Sequence, residues 1–137
     1  MHTNLIGNIS EAVIMAAFAK AGYLVSKPFG NAHPYDLIVD DGTRLLRVQC
    51  KTARQVRGTI TFSTKSNNGR WYRRGANRGY AGKADLFAAY CPNTDKVYVA
   101  SAVDAKPGSI SLRLTPTANN QSKKIRWAHE YELRPLK

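Results

Sequence analysis

Asp36, Gln49 and Lys51 are the residues whose types and spacing point to chemistry. Tyr35-Asp36-Leu37-Ile38-Val39-Asp40 and the segment from Thr43 through Lys51 both have strand composition, and Asp41-Gly42 between them is a hairpin signal. Side chains alternate along a strand, so Leu46, Val48 and Cys50 share one face while Arg47, Gln49 and Lys51 share the other. With Asp41-Gly42 as a two-residue turn, Asp36 lies across from Arg47 and Gln49 is its diagonal neighbour, about 7–8 Å away. Asp36, Gln49 and Lys51 therefore converge on one polar face. Taken singly, each is a residue type that usually means only a solvated surface. What sets this group apart is a carboxylate placed early in a strand, directly after a Pro- and Gly-rich turn, with a Gln-x-Lys pair on the neighbouring strand. The two cysteines, Cys50 and Cys91, have no CxxC partner, and His2, His33 and His129 lack metal-ligand spacing. A catalytic metal here must be held mainly by oxygen.

Glu11 is the fourth candidate, carried by the element that must lie against these strands. Leu5 to Ala21 has helical composition, with Ile9, Ala12, Val13, Ala16 and Ala17 as an apolar stripe and Gly22 as the stop. Glu11 shares its own face with Gly7, Ile14, Met15 and Phe18, and a carboxylate among apolar neighbours wants a partner. The alternative is that Asn8 caps the helix and Glu11 closes a capping box three residues on. Both hold if the helix begins earlier, near Asn4.

The remaining chain predicts mostly strands. Tyr23 to Ser26 is a short strand ending at Pro28, and Thr59 to Thr64 alternates β-branched and polar residues as a third strand would. Lys65 to Gly82 is rich in Asn, Gly and Arg and forms a long loop. Leu86 to Tyr90 and Lys96 to Ala100 form a second hairpin across Pro92-Asn93-Thr94-Asp95. Ile110 to Leu114 and Ile125 to Leu133 fit helix or strand equally. The order is α+β, with an N-terminal helix packed on a mixed, largely antiparallel sheet, and the 137 residues suit one domain, 1–137.

The net charge of +12, from 21 Lys and Arg against 9 Asp and Glu, makes a field that concentrates polyanions. Nucleic acid is the first candidate partner. A membrane is not, since no apolar run approaches the ~20 residues of a spanning helix, and no signal-peptide pattern opens the chain, so a cytoplasmic protein is expected. From Gly42 to Ala84 there is no acidic residue. That stretch supplies a DNA footprint of Arg54, Arg57, Lys65, Asn67, Arg70, Trp71, Tyr72, Arg73, Arg74 and Arg78. Arg and Asn can read guanine and adenine edges, while Trp71 and Tyr72 either stack on bases or tether the loop to the domain. Lys123, Lys124 and Arg126 extend the basic surface or form a solvated face. Asp85, opening an apolar strand, needs a cationic partner, for which Arg78 and Lys83 are the near candidates.

Gly7 and Glu11, Gly22-Tyr23, Tyr35-Asp36-Leu37-Ile38-Val39 and Val48-Gln49-Cys50-Lys51-Thr52 together resemble the PD-(D/E)XK nuclease superfamily, most of all the branch of bacterial group I intron homing endonucleases. Archaeal Holliday junction resolvases are the next most similar. Tyr35 replaces the proline of the family pattern. Gln49 stands where most members have Asp or Glu, as it does in the homing branch. The resemblance implies that Asp36, the Gln49 amide oxygen, the Cys50 carbonyl and Glu11 hold Mg²⁺ or Mn²⁺. It also implies that Lys51 orients or deprotonates water and stabilises charge on the phosphorane. The loss of one negative charge at Gln49 weakens the hold on metal and leaves one or two ions open.

The expected function is a metal-dependent endonuclease that cuts double-stranded DNA at a specific site. Cutting both strands takes two active sites, so a homodimer or homotetramer is expected. Two alternatives stand: a junction-resolving or repair nuclease, and a non-catalytic basic DNA- or RNA-binding module on which the polar strand face is inert.

Overall fold

Ile14 and Phe18, one helical turn apart, decide which side of the first helix is buried. In the computed structural model, which describes residues 2–30, 33–65, 83–103, 105, 108–116 and 125–136, helix α1 spans Thr3–Lys20 and fully buries Ser10, Ile14 and Phe18. The stripe read from sequence is therefore shifted: Ile9 is 41% exposed, and Ala12 and Ala16 face solvent. Alanines make several helix faces apolar, and the larger side chains settle the choice because burying each contributes about 1.5–3 kcal/mol. His2 caps the helix, its ring Nδ1 accepting the Asn4 N–H at 3.2 Å. Asn8 thus lies inside the helix and closes no capping box with Glu11.

The strands are β1 Leu24–Ser26, β2 Leu37–Asp40, β3 Leu45–Thr52, β4 Arg54–Val56, β5 Thr59–Ser63, β6 Leu86–Cys91, β7 Lys96–Ser101 and β8 Ser109–Arg113, followed by a short 3-10 helix, Ala128–Tyr131. One sheet has the order β1-β2-β3-β6-β7, and its β3–β6 pairing alone is parallel. The expected helix on a mixed, largely antiparallel sheet is present. A second sheet, β4-β5-β8, is antiparallel. It resolves the open reading of residues 110–114 as strand, while residues 128–131 wind into the 3-10 turn.

Period-two alternation explains the layering. Leu37, Val39, Val48 and Ala88 pack against Ile14 and Phe18 on the helix side. Phe87, Ala89, Cys91 and Tyr98 pack against Ile60, Phe62, Ile110 and Leu112 of the second sheet. The five-stranded sheet is thus covered on both faces, which is why β6 reads as an uninterrupted apolar run.

Two sequence expectations are corrected at the first hairpin. The last β2–β3 pair is Asp40 with Leu45, so the connection is the four residues 41–44, not two. Asp41 stabilises it by accepting the Thr43 and Arg44 N–H groups at 2.9 and 2.8 Å, and Gly42 takes a φ of 101°. The longer turn shifts the register, and Arg47 faces Ile38 rather than Asp36. Arg47 is instead the partner of Asp85, whose carboxylate accepts its backbone N–H at 2.8 Å, Nε at 3.1 Å and Nη2 at 3.0 Å. This ties the start of β6 to β3, where sequence had suggested Arg78 or Lys83; Arg78 lies outside the described residues.

The Arg47 guanidinium holds the Asp85 carboxyl below the usual carboxylate range, so its stabilisation is complete above the unfolded-state pKa and fades as pH falls through the lowered folded value. With Asp85 about one third exposed, solvent screening limits the effect. Asp85→Asn should cost about 1–2 kcal/mol at neutral pH by urea denaturation, and the gap to wild type should close in strong acid.

Candidate active site

β2 stops short of β3, and the site occupies the difference. β3 continues to Thr52, but its pairing with β2 ends at Leu37–Val48. Asp36 sits just before that last pair, donating its N–H to the Val48 carbonyl at 2.8 Å and accepting the Cys50 N–H on its carboxylate, also at 2.8 Å. A side chain thereby replaces a missing ladder partner. Because N–H and C=O of one strand residue point to the same side, the Cys50 carbonyl opens toward Asp36 as well. Gln49 and Lys51 project from the opposite face to Val48 and Cys50, beside the second sheet.

The helix reaches the same place. Ser10, 2% exposed, bonds the Thr52 hydroxyl across 2.5 Å, which fixes the first half of α1 over the end of β3 and sets Glu11 beside Asp36. Glu11 is paired with Lys27, a residue just past β1 that the sequence reading passed over. The available signal was that Lys27 is the one lysine between Lys20 and Lys51 and stands at the strand end leading to Asp36.

These groups lie within electrostatic reach of one another. Burial raises the Asp36 pKa; the Cys50 hydrogen bond opposes this, the Glu11 charge adds to it, and Lys51 and Lys27 lower it. Burial lowers the Lys51 pKa, with Asp36 pulling it back up. Lys51 also donates to the Lys65 carbonyl at 2.9 Å. Burial raises the Cys50 thiol well beyond neutrality, so the part of Cys50 available to a hard cation is its carbonyl oxygen and not sulfur.

The structure thus brings Glu11, Asp36, Cys50 and Lys51 together and adds Lys27, with Gln49 between Cys50 and Val48 on the same strand. The oxygen atoms here that could hold a hard divalent ion are those of Asp36, the Gln49 amide, the Cys50 carbonyl and Glu11. Among the described residues no three His, Cys, Asp or Glu side chains cluster as a metal site, and position 49 is an amide that adds no carboxylate to Glu11 and Asp36. Of the proposed DNA contacts, Arg54 lies exposed on β4, Arg57 is in the β4–β5 turn at a φ of 58°, and Lys65 follows β5. Asn67, Arg70, Trp71, Tyr72, Arg73, Arg74 and Arg78 lie outside the described residues, as do Lys123 and Lys124.

The fold and this strand arrangement define a nuclease core: residues 1–134 match the PD-(D/E)XK endonuclease family model, and the chain belongs to that family. Among solved structures it is similar to the bacterial homing endonuclease I-Ssp6803I, with 23% identity over 96% of this chain and 86% of that one and a TM-score of 0.66. A Holliday junction resolvase of Archaeoglobus fulgidus, Hjc, is more distant, at 14% identity over 78% of this chain and 83% of that one, with a TM-score of 0.47. No curated protein sequence matches significantly. The α+β expectation and the family resemblance are both borne out.

Because Glu11 raises and Lys27 lowers the Asp36 pKa, two substitutions should move it in opposite directions. In carboxyl ¹³C NMR titrations without divalent ions, Glu11→Gln should bring Asp36 closer to the ordinary aspartate range, and Lys27→Met should push it further up.

Proposed function

We propose that the chain is a divalent-metal-dependent endonuclease that hydrolyses phosphodiester bonds of double-stranded DNA at a specific site, in the manner of intron homing. The observation carrying this reading is the Asp36 carboxylate joined to the Gln49-Cys50-Lys51 strand and faced by Glu11, in a chain of this family. Asp36, the Gln49 amide and the Cys50 carbonyl would hold Mg²⁺ or Mn²⁺, with Glu11 reached through water. Because Glu11 already carries Lys27, we assign a single ion. When bound, such an ion supplies Lewis-acid stabilisation of charge on the phosphate.

The protein's own groups do the rest. Lys51, on the strand beside Asp36, would orient the attacking water, and burial lowers its pKa. In its charged form the same ammonium stabilises the developing phosphorane. Arg54, Arg57 and Lys65, with the basic residues between positions 67 and 78, would neutralise DNA phosphates and make binding strongly salt-dependent. Residues 1–137 act as one nuclease domain in this scheme, and double-strand cutting requires a homodimer or homotetramer. Among the described residues no helix is long and apolar enough to cross a membrane.

The test is cleavage of a plasmid library with Mg²⁺ or with EDTA. Wild type should cut only with Mg²⁺, and Asp36→Asn and Lys51→Ala should each lose at least about 100-fold in rate while keeping the wild-type circular dichroism spectrum. Cutting that survives in Asp36→Asn would refute the assignment.

A further inference from the structure

The second sheet, β4-β5-β8, has one face turned to the core and one turned outward. Its inner face is the apolar row Ile60, Phe62, Ile110 and Leu112. By the register, the outward rows are Arg54–Thr61–Ser111, then Val56–Thr59–Arg113 toward the β4–β5 turn, and Ser63–Ser109 at the other end. Arg54, Ser63, Ser109 and Ser111 are exposed, Thr59, Thr61 and Arg113 half-exposed, and Val56 is the one exposed apolar side chain among them. No aspartate or glutamate occurs on any of the three strands.

Hydroxyls and guanidinium groups without carboxylates are a surface for polyanions. Ser and Thr hydroxyls bond phosphate oxygens and either kind of base edge, and threonine methyls pack on thymine methyls. Arg113 is held in place: its Nη1 donates to the Thr59 hydroxyl at 2.9 Å, and its Nε and Nη2 to the Thr115 and Pro116 carbonyls at 3.1 and 3.0 Å. The guanidinium charge therefore sits fixed on the face instead of waving on a free stem.

The face is also joined to the candidate active site. Lys51 donates to the carbonyl of Lys65 at 2.9 Å, two residues past the Ser63 end of β5, and the Thr64 N–H bonds the Gly108 carbonyl beside Ser109 at 3.0 Å. The Ser63–Ser109 end thus lies next to Lys51, and the Arg57-Gly58 turn marks the far end. Five residues of strand span about 17 Å, the rise of about five base pairs.

We propose that this outer face docks duplex DNA, the β5–β8 ribbon lying along a groove and reading about five base pairs to one side of the scissile phosphate. The major groove admits a two-stranded ribbon of this kind. The proposal rests on the nuclease reading for its ligand, but it assigns Thr61, Ser109, Ser111 and Arg113 a role that the basic loop alone does not give them.

Fluorescence anisotropy with a labelled 30-base-pair duplex, in Ca²⁺ so that binding is separated from cutting, tests it. Ser111→Glu should weaken binding at least tenfold and Ser111→Arg should tighten it several-fold. Ala19→Glu, on an exposed position of α1 across the molecule, controls for net charge and should change binding less than twofold. Thermal melts show whether each variant is folded; if Ser111→Glu is not, Ser111→Arg alone carries the test. Binding unchanged by both Ser111 variants, or weakened equally by Ser111→Glu and Ala19→Glu, would overturn the docking face and leave Asp36-dependent cutting untouched. Wild type that binds no duplex at all would overturn the face and the nuclease reading together.

Discussion

The hydrogen bond from the Cys50 N–H to the Asp36 carboxylate is the contact around which the candidate site is arranged. A strand that outruns its neighbour leaves backbone groups without a ladder partner, and a half-buried amide without a partner is costly. Asp36 resolves this by placing its side chain where the next residue of β2 would have bonded. The same bond stabilises the ionised carboxylate against the burial that disfavours it. Structure and chemistry thus make the same demand: the feature that completes the sheet also keeps an anion at the sheet's open edge.

Charge balance follows from that anion. Glu11 adds a second negative charge over the end of β3, which by itself would drive Asp36 toward protonation. Lys27 and Lys51 offset the pair. With an amide at position 49, two carboxylates face two ammonium groups, so their charges cancel before any divalent ion adds its own two.

The first hairpin, the second hairpin and the helix were legible in sequence because turn residues and strong apolar runs mark them. That Asp36, Gln49 and Lys51 share a strand face was legible from period-two alternation, Glu11 from its place among apolar neighbours, and the Cys50 carbonyl only from the family resemblance. The register was not. Asp41-Gly42 has the composition of a two-residue turn, but Asp41 caps a four-residue loop through its side chain, and that competition between turn types cannot be settled from composition. β4 escaped notice because Arg54-Gln55-Val56 has no apolar period, and it exists only through its pairing with β5. Lys27 was missed because its partner lies 16 residues away on another element, and distance in sequence hides an ion pair made in space.

The edges of the five-stranded sheet carry a different consequence. β1 is three residues long and is followed at once by Lys27 and Pro28. At the opposite side, the Tyr98–Glu132 bridge and the Leu133 N–H to the Val97 carbonyl, 2.9 Å, cover β7 with the chain's own C-terminal segment. Short, charged, proline-stopped or covered edges resist templating by another chain. The lysine that balances the candidate site is thus also a gatekeeper against strand addition by another chain.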